Sequence, residues 1–120
     1  MPVRKHAGQI RAAKYIYVRA GDDHRFIGIW AVVVAGRVFV RSWNVKPDGW
    51  HAGFLEQKRG AIRLSKDGPV IPVRAVATRS ERIKAAVDDA YADKYTSPAN
   101  LKYVKGLRLR RRRDTTMELV

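Results

Sequence analysis

The chain has 120 residues, 46% of them apolar, which fits one domain over residues 1–120 with enough apolar matter to bury a core and excludes wholesale disorder. It has no cysteine, so disulfides and thiolate metal sites are excluded and a reducing, cytoplasmic setting is expected. Twenty-five Lys and Arg face 11 Asp and Glu, a net charge of +14 that attracts anions: nucleic acid, phosphorylated small molecules or acidic membrane surfaces.

The N-terminal "MPVRKHAGQI" lacks a long apolar run, so no secretion signal is expected. No stretch approaches the roughly 20 apolar residues needed to span a bilayer. There is no internal repeat. Residues 4–12 suit a short helix, "KYIYVRA" (14–20) alternates as a strand, and "GDDHR" (21–25) is a polar turn. "FIGIWAVVV" (26–34) is apolar throughout and reads as one strand buried on both faces. Ala35-Gly36 is a two-residue hairpin turn, and "RVFVRSW" (37–43) returns.

Pairing that hairpin in register sets Val34 opposite Arg37, Val32 opposite Phe39 and Trp30 opposite Arg41. Trp30, Phe39 and Arg41 then share one face, where Arg41 can stack on Trp30. Val33, Ala31 and Ile29 with Val38, Val40 and Ser42 form the other, core face. A small barrel needs only one inward face. The surplus apolar face predicts a homodimer in which a second copy covers it.

Asp48 is the expected N-cap of a helix through Gln57, with Trp50 and Phe54 one turn apart. "GAIRLS" (60–65) turns through Lys66-Asp67-Gly68 into "PVIPVRAVAT" (69–78). Ile62, Leu64, Ile71 and Val73 share one face, and Arg63 and Arg74 the other. Thr78 and Glu81 have capping-box spacing. Ile83, Val87, Ala90, Tyr91 and Lys94 make one stripe of an amphipathic helix over 80–95. Ser97-Pro98 opens a further short helix that Gly106 ends, and "TTMELV" (115–120) is a final strand. The expectation is a mainly β fold with α insertions: a six-stranded antiparallel split barrel with two clear helices.

"GIWAVVVAGRVFVRSW", "GWHAGFLEQKRGAIRL", "IPVRAV", "IKAAVDDAYADKY" and the terminal "TTMEL" together resemble a small bacterial family of unknown function. That family is placed in the FMN-binding split-barrel superfamily, with the pyridoxamine 5'-phosphate oxidases and the deazaflavin-dependent nitroreductases. The resemblance covers roughly residues 10–120. It implies that Arg41, Ser42 and Lys46 lie where the superfamily holds a cofactor phosphate, and that Trp50 matches the aromatic residue opening the helix in deazaflavin-type members. The Arg-containing motif that the oxidases place before this strand has no counterpart here.

Phosphate recognition wants a cation with hydroxyl and amide donors converging from one turn, and Arg41, Ser42, Asn44 and Lys46 supply them. Cations at a strand end are equally ordinary edge protection. Trp30, Trp43 and Trp50 can stack on a flat ring or fill a core, and Trp50 is the strongest ligand candidate. Arg63 and Arg74 either complete an anion pocket or pair with acids across an interface. His6, His24 and His51 are scattered without metal spacing, so no metal site is expected; His51, beside Trp50, is a candidate proton donor.

No catalytic triad, paired carboxylates or glycine-rich phosphate loop is visible. The leading expectation is therefore a binder of FMN or a phosphorylated deazaflavin, an oxidoreductase only through the cofactor's own chemistry. The rival is a non-enzymatic anion- or nucleic-acid-binding protein using Arg108, Arg110, Arg111, Arg112 and Arg113 in "LRLRRRR" (107–113), part of which reads as an edge strand. A barrel with neither ligand, serving as an interaction module, is the third reading.

Overall fold

The computed structural model describes residues 3–22 and 24–120, so the predicted turn at 21–25 includes one residue, Asp23, outside the described set. After a 3-10 turn at Val3–His6 comes α1 (Ala7–Ala12). Seven strands follow rather than six: β1 (Ile16–Ala20), β2 (Ile27–Ile29), β3 (Ala31–Val34), β4 (Arg37–Val40), β5 (Arg59–Arg63), β6 (Ile71–Ala77) and β7 (Met117–Leu119). Their order in the sheet is β2-β1-β5-β6-β7-β4-β3, antiparallel at every step.

The extra strand comes from the apolar run 26–34. It bends at Trp30, pairing β2 with β1 on one side and β3 with β4 on the other. The two edges of the sheet are thus consecutive in the chain, and the sheet curls into a nearly closed barrel. The predicted β3–β4 register holds from Ala31↔Val40 to Val34↔Arg37. Its turn has φ of 51° at Ala35 and 75° at Gly36, the positive pair that a tight hairpin of this hand demands.

Ile16, Val18, Val38, Val40, Ile62, Val73, Met117 and Leu119 form the main core, with Ile10 of α1 packed into it. So is Phe54 of α2 (Trp50–Gln57), a ring whose complete burial stabilises by about 1.5–3 kcal/mol. α2 lies close on β1 because Gly53 has no side chain: a Cβ there would stand 2.8 Å from Ala20 Cβ. Gly49, not Asp48, is the residue before its first turn.

The opposite face of β3 and β4 is not left bare. Val32 and Phe39 pack against Val87, Tyr91 and Tyr95 of α3 (Glu81–Lys94) and its C-terminus, and against Val104 and Leu107 of α4 (Leu101–Leu107). A homodimer is therefore not needed to cover that surplus face, because the chain covers it itself. The predicted α3 stripe does that work, with Ile83 and Ala90 at its margin. The cap is Ser80, whose Oγ accepts from Ile83 N at 3.2 Å; Thr78 instead extends the sheet through its N–H to Thr116 O. A last short helix, α5 (Arg110–Arg113), precedes β7.

Candidate functional site

β4 ends at Val40, and alternation sends Arg41 to the same side as Phe39, beneath α3. The Arg41 side chain is 0% exposed. Its Nε donates to Thr116 Oγ1 at 2.8 Å, one Nη to Asp88 Oδ1 at 2.6 Å and Leu107 O at 3.1 Å, and the other to Lys84 O at 2.9 Å. Four of its five N–H groups are therefore committed to the fold. Asp88 also accepts from Arg113 Nε at 3.0 Å, and Arg113 reaches Glu81 at 2.6 Å. The expected stack of Arg41 on Trp30 is absent. Trp30 stacks on Tyr95, with centroids 3.8 Å apart and planes 5° from parallel, and Arg41 lies over Tyr91.

Beyond Arg41 the chain turns away from the sheet. Ser42 N donates to Thr115 Oγ1 at 2.8 Å, and Ser42 Oγ donates to Asn44 O, which shapes the turn. Asn44 and Lys46 are exposed, and Lys46 forms no ion pair among the described residues. Trp50 opens α2 with its ring edge-on to Phe54 and His51.

A cleft of about 620 Å³ brings Arg41, Ser42, Asn44, Lys46 and Trp50 together. Its walls also hold Trp30, Trp43 and Tyr103, a contiguous group in which Tyr103 meets each indole edge-on, at 6.2 and 5.1 Å. His24, Arg25 and Ile27, from the start of β2 and the loop before it, also line the cleft, as does Asp48 from the turn before α2. Sequence reasoning missed Arg25 and Tyr103 as site residues, because they arrive from the far edge of the sheet and from α4. His51 lies outside the lining, and burial lowers its pKa and so favours the neutral ring.

The basic run joins the same region. A recess of about 220 Å³ beside the cleft is lined by Trp43, Asn44, Val45, Lys46, Arg111 and Arg112. Arg112 sits 3.6 Å over the Trp43 ring and donates from Nε to Trp43 O at 2.9 Å. The run is helical rather than an edge strand: the hydroxyls of Thr115 and Thr116 donate to the carbonyls of Arg112 and Arg113, each at 2.6 Å, and close the turn. Arg112 and Arg113 are thus engaged within the molecule, while Arg108, Arg110 and Arg111 stay exposed. Among the described residues no group of three His, Asp or Glu is placed to hold a metal. Nor is any helix long and apolar enough to cross a membrane.

Fold and cleft define a nearly closed antiparallel barrel with an aromatic, cation-edged groove on its side. The chain belongs to the family described as "Uncharacterized protein conserved in bacteria (DUF2255)", which it matches over residues 6–119. No curated protein matches it. Among solved structures it is similar to the "conserved hypothetical protein Rv2991 from Mycobacterium tuberculosis", with a TM-score of 0.59 at 13% identity, covering 99% of this chain and 78% of that one. A likeness at that identity speaks for the fold alone.

Proposed function

We propose that the cleft binds a phosphorylated flavin or deazaflavin, as in the FMN-binding split-barrel class, and that any redox activity follows from that cofactor. The observation that carries this reading is one groove joining Trp30, Trp43, Trp50 and Tyr103 to Lys46 and Arg25, neither of which forms an ion pair among the described residues. Its size lies within the roughly 300–1,000 Å³ of ordinary small-molecule sites. A flat ring suits the aromatic walls. The phosphate would sit on Lys46 and Asn44 with Arg111 of the adjoining recess; Arg41, with four of its five N–H groups engaged elsewhere, would support the turn from below. Bound there, the cofactor would supply hydride or electron transfer, and the chain would hold and orient it.

Tyr15, Ile27, Trp43 and Tyr103 leave an exposed, largely apolar rim around the cleft, with Trp43 at 37% exposure. A second copy closing over that rim would make the homodimer, on different ground from the face covered by α3.

Calorimetric titration tests the reading. FMN is expected to bind at least tenfold more tightly than riboflavin, since one charge-assisted hydrogen bond contributes roughly 1.5–3 kcal/mol. Lys46→Ala with Arg111→Ala should remove that preference, and Arg110→Ala should not. Failure to bind FMN or a phosphorylated deazaflavin at millimolar concentration would end the proposal. Light scattering with and without the ligand tests the dimer.

A further inference from the structure

The outer face of the barrel splits into two halves. α3 and α4 cover β3 and β4, whereas no helix covers the outward side of β1, β5 and β6, where Arg59, Pro72, Arg74 and Val76 are exposed and Tyr17, Arg19 and Arg63 half-exposed. On this open half stand Arg19 of β1, Arg59 and Arg63 of β5 and Arg74 of β6. Their only carboxylate partner among the described residues is Asp22, which Arg59 meets at 3.3 Å with both groups largely exposed.

Two details say that this cluster is more than a solvated surface. Arg59 and Arg74 are direct cross-strand partners, an arrangement of like charges that costs stability unless an anion lies between them. Arg19 and Arg63 stack on the same Phe26 ring, at 4.6 and 4.5 Å from its centroid. Both have a buried Nε that finds no hydrogen-bond partner. These Nε atoms have no exposed surface, so a ligand on this face would meet the outer Nη atoms, one of which, on Arg63, donates to Lys66 O at 3.4 Å.

We infer that this open sheet face binds single-stranded nucleic acid. The row runs across three adjacent strands, about 10 Å at ordinary strand spacing, which is wider than one phosphate and suited to successive phosphates of a chain. A shallow cleft of about 590 Å³ lies along part of it, lined by Arg19, Lys58, Arg59 and Arg74, with the carboxylate of Asp22 among them, over a floor of Gly60, Ala61 and Pro72; Arg63 stands outside it. Tyr17, partly exposed, offers ring surface beside the cations, the combination by which sheet faces hold bases without reading them, while Phe26 holds Arg19 and Arg63 in place. A second copy of this chain is a poorer occupant, because a two-fold contact here would set these arginines against their own copies, unlike the largely apolar rim of the cleft. The inference goes beyond the flavin cleft and shares no residue with it.

The test is fluorescence anisotropy with a labelled single-stranded oligonucleotide of about 12 nucleotides, titrated with the full chain across a salt series. Binding should weaken steeply with salt. Arg63→Ala with Arg74→Ala should lower affinity at least tenfold and flatten the log–log salt slope by about 0.7 for each phosphate no longer neutralised. Arg74→Ala alone should also raise the melting temperature of the free protein, since it removes a like-charge pair; an arginine with a merely structural role would lower it. Arg110→Ala, in α5, should change neither readout. The inference is overturned if no binding occurs at 50 mM salt, if only the α5 variant loses affinity, or if polyglutamate displaces the oligonucleotide as well as unlabelled competitor does.

Discussion

Arg41 shows how a single residue can be legible in type and illegible in role. Its place at a strand end, before Ser42 and Lys46, fits an anion site. What the local sequence does not contain is α3, whose Asp88 lies 47 positions on and meets the guanidinium at 2.6 Å. The charge is turned inward by a helix that no short-range pattern connects to it. Arg41→Ala should therefore destabilise the fold by about 3–5 kcal/mol, the usual cost of breaking a buried ion pair, because Asp88 keeps only Arg113 and the acceptors on Thr116, Leu107 and Lys84 lose their donor. Arg41→Lys should recover only part, because one ammonium cannot serve Thr116, Asp88, Leu107 and Lys84 together. Urea unfolding of both variants measures this; a destabilisation below 1 kcal/mol for the alanine variant would contradict the buried network.

Elements were readable wherever local chemistry sufficed. The β3–β4 hairpin follows from alternation and a turn that Gly36 makes possible, and the α3 stripe from its period. The bend at Trp30 was hidden because the run 26–34 carries no proline or glycine at that point; closure of the sheet, not local propensity, divides it. α5 was hidden because Leu107 and Leu109 alternate with arginines as a strand would, while its stop signal is two threonine hydroxyls that follow it. α4 carries a test of how elements shape the cleft. A Cβ on Gly106 would overlap the outer edge of the Trp43 ring and stand 3.2 Å from Arg112 Nη1. Ordinary propensity favours Ala over Gly inside a helix by about 1 kcal/mol. Gly106→Ala should nonetheless displace Trp43 from under Arg112, shift the tryptophan fluorescence, and weaken ring-ligand binding several-fold with little change in urea midpoint. Unchanged fluorescence and affinity would show that Trp43 does not depend on this close approach.

At the scale of the whole molecule, charge distribution sets a pH profile with two limbs. Glu118 accepts two hydrogen bonds from Arg37, at 3.1 and 2.7 Å, and one from Arg4 at 3.2 Å, which hold its carboxyl below the ordinary 4.5 against the opposing effect of burial. Its stabilisation is complete above 4.5, where both folded and unfolded chains are ionised. It is lost as pH falls through the folded value, because the unfolded chain takes up the proton first. Lys94 makes the other limb. Burial, with Arg11 nearby, lowers its pKa from 10.5 to about 8, and its Nζ donates to Ile10 O at 2.9 Å and Ala31 O at 2.6 Å. A neutral amine keeps two N–H groups, enough for both carbonyls. Between pH 8 and 10.5 the unfolded chain holds a proton that the folded one has released, so this group makes the fold more stable as pH rises through that window. Burial holds the Tyr91 and Tyr95 hydroxyls above their ordinary 10, an effect of opposite sign that begins only there. The clean interval is pH 8 to 10. Loss of general lysine charge also relieves repulsion in a +14 chain over that interval, so the readout must be a difference. The unfolding free energy of the wild type minus that of Lys94→Met should climb from pH 8 to pH 10 and stay level from pH 6 to pH 8. A flat difference across both intervals would mean that Lys94 keeps its charge in the fold, held there by the two carbonyls it meets.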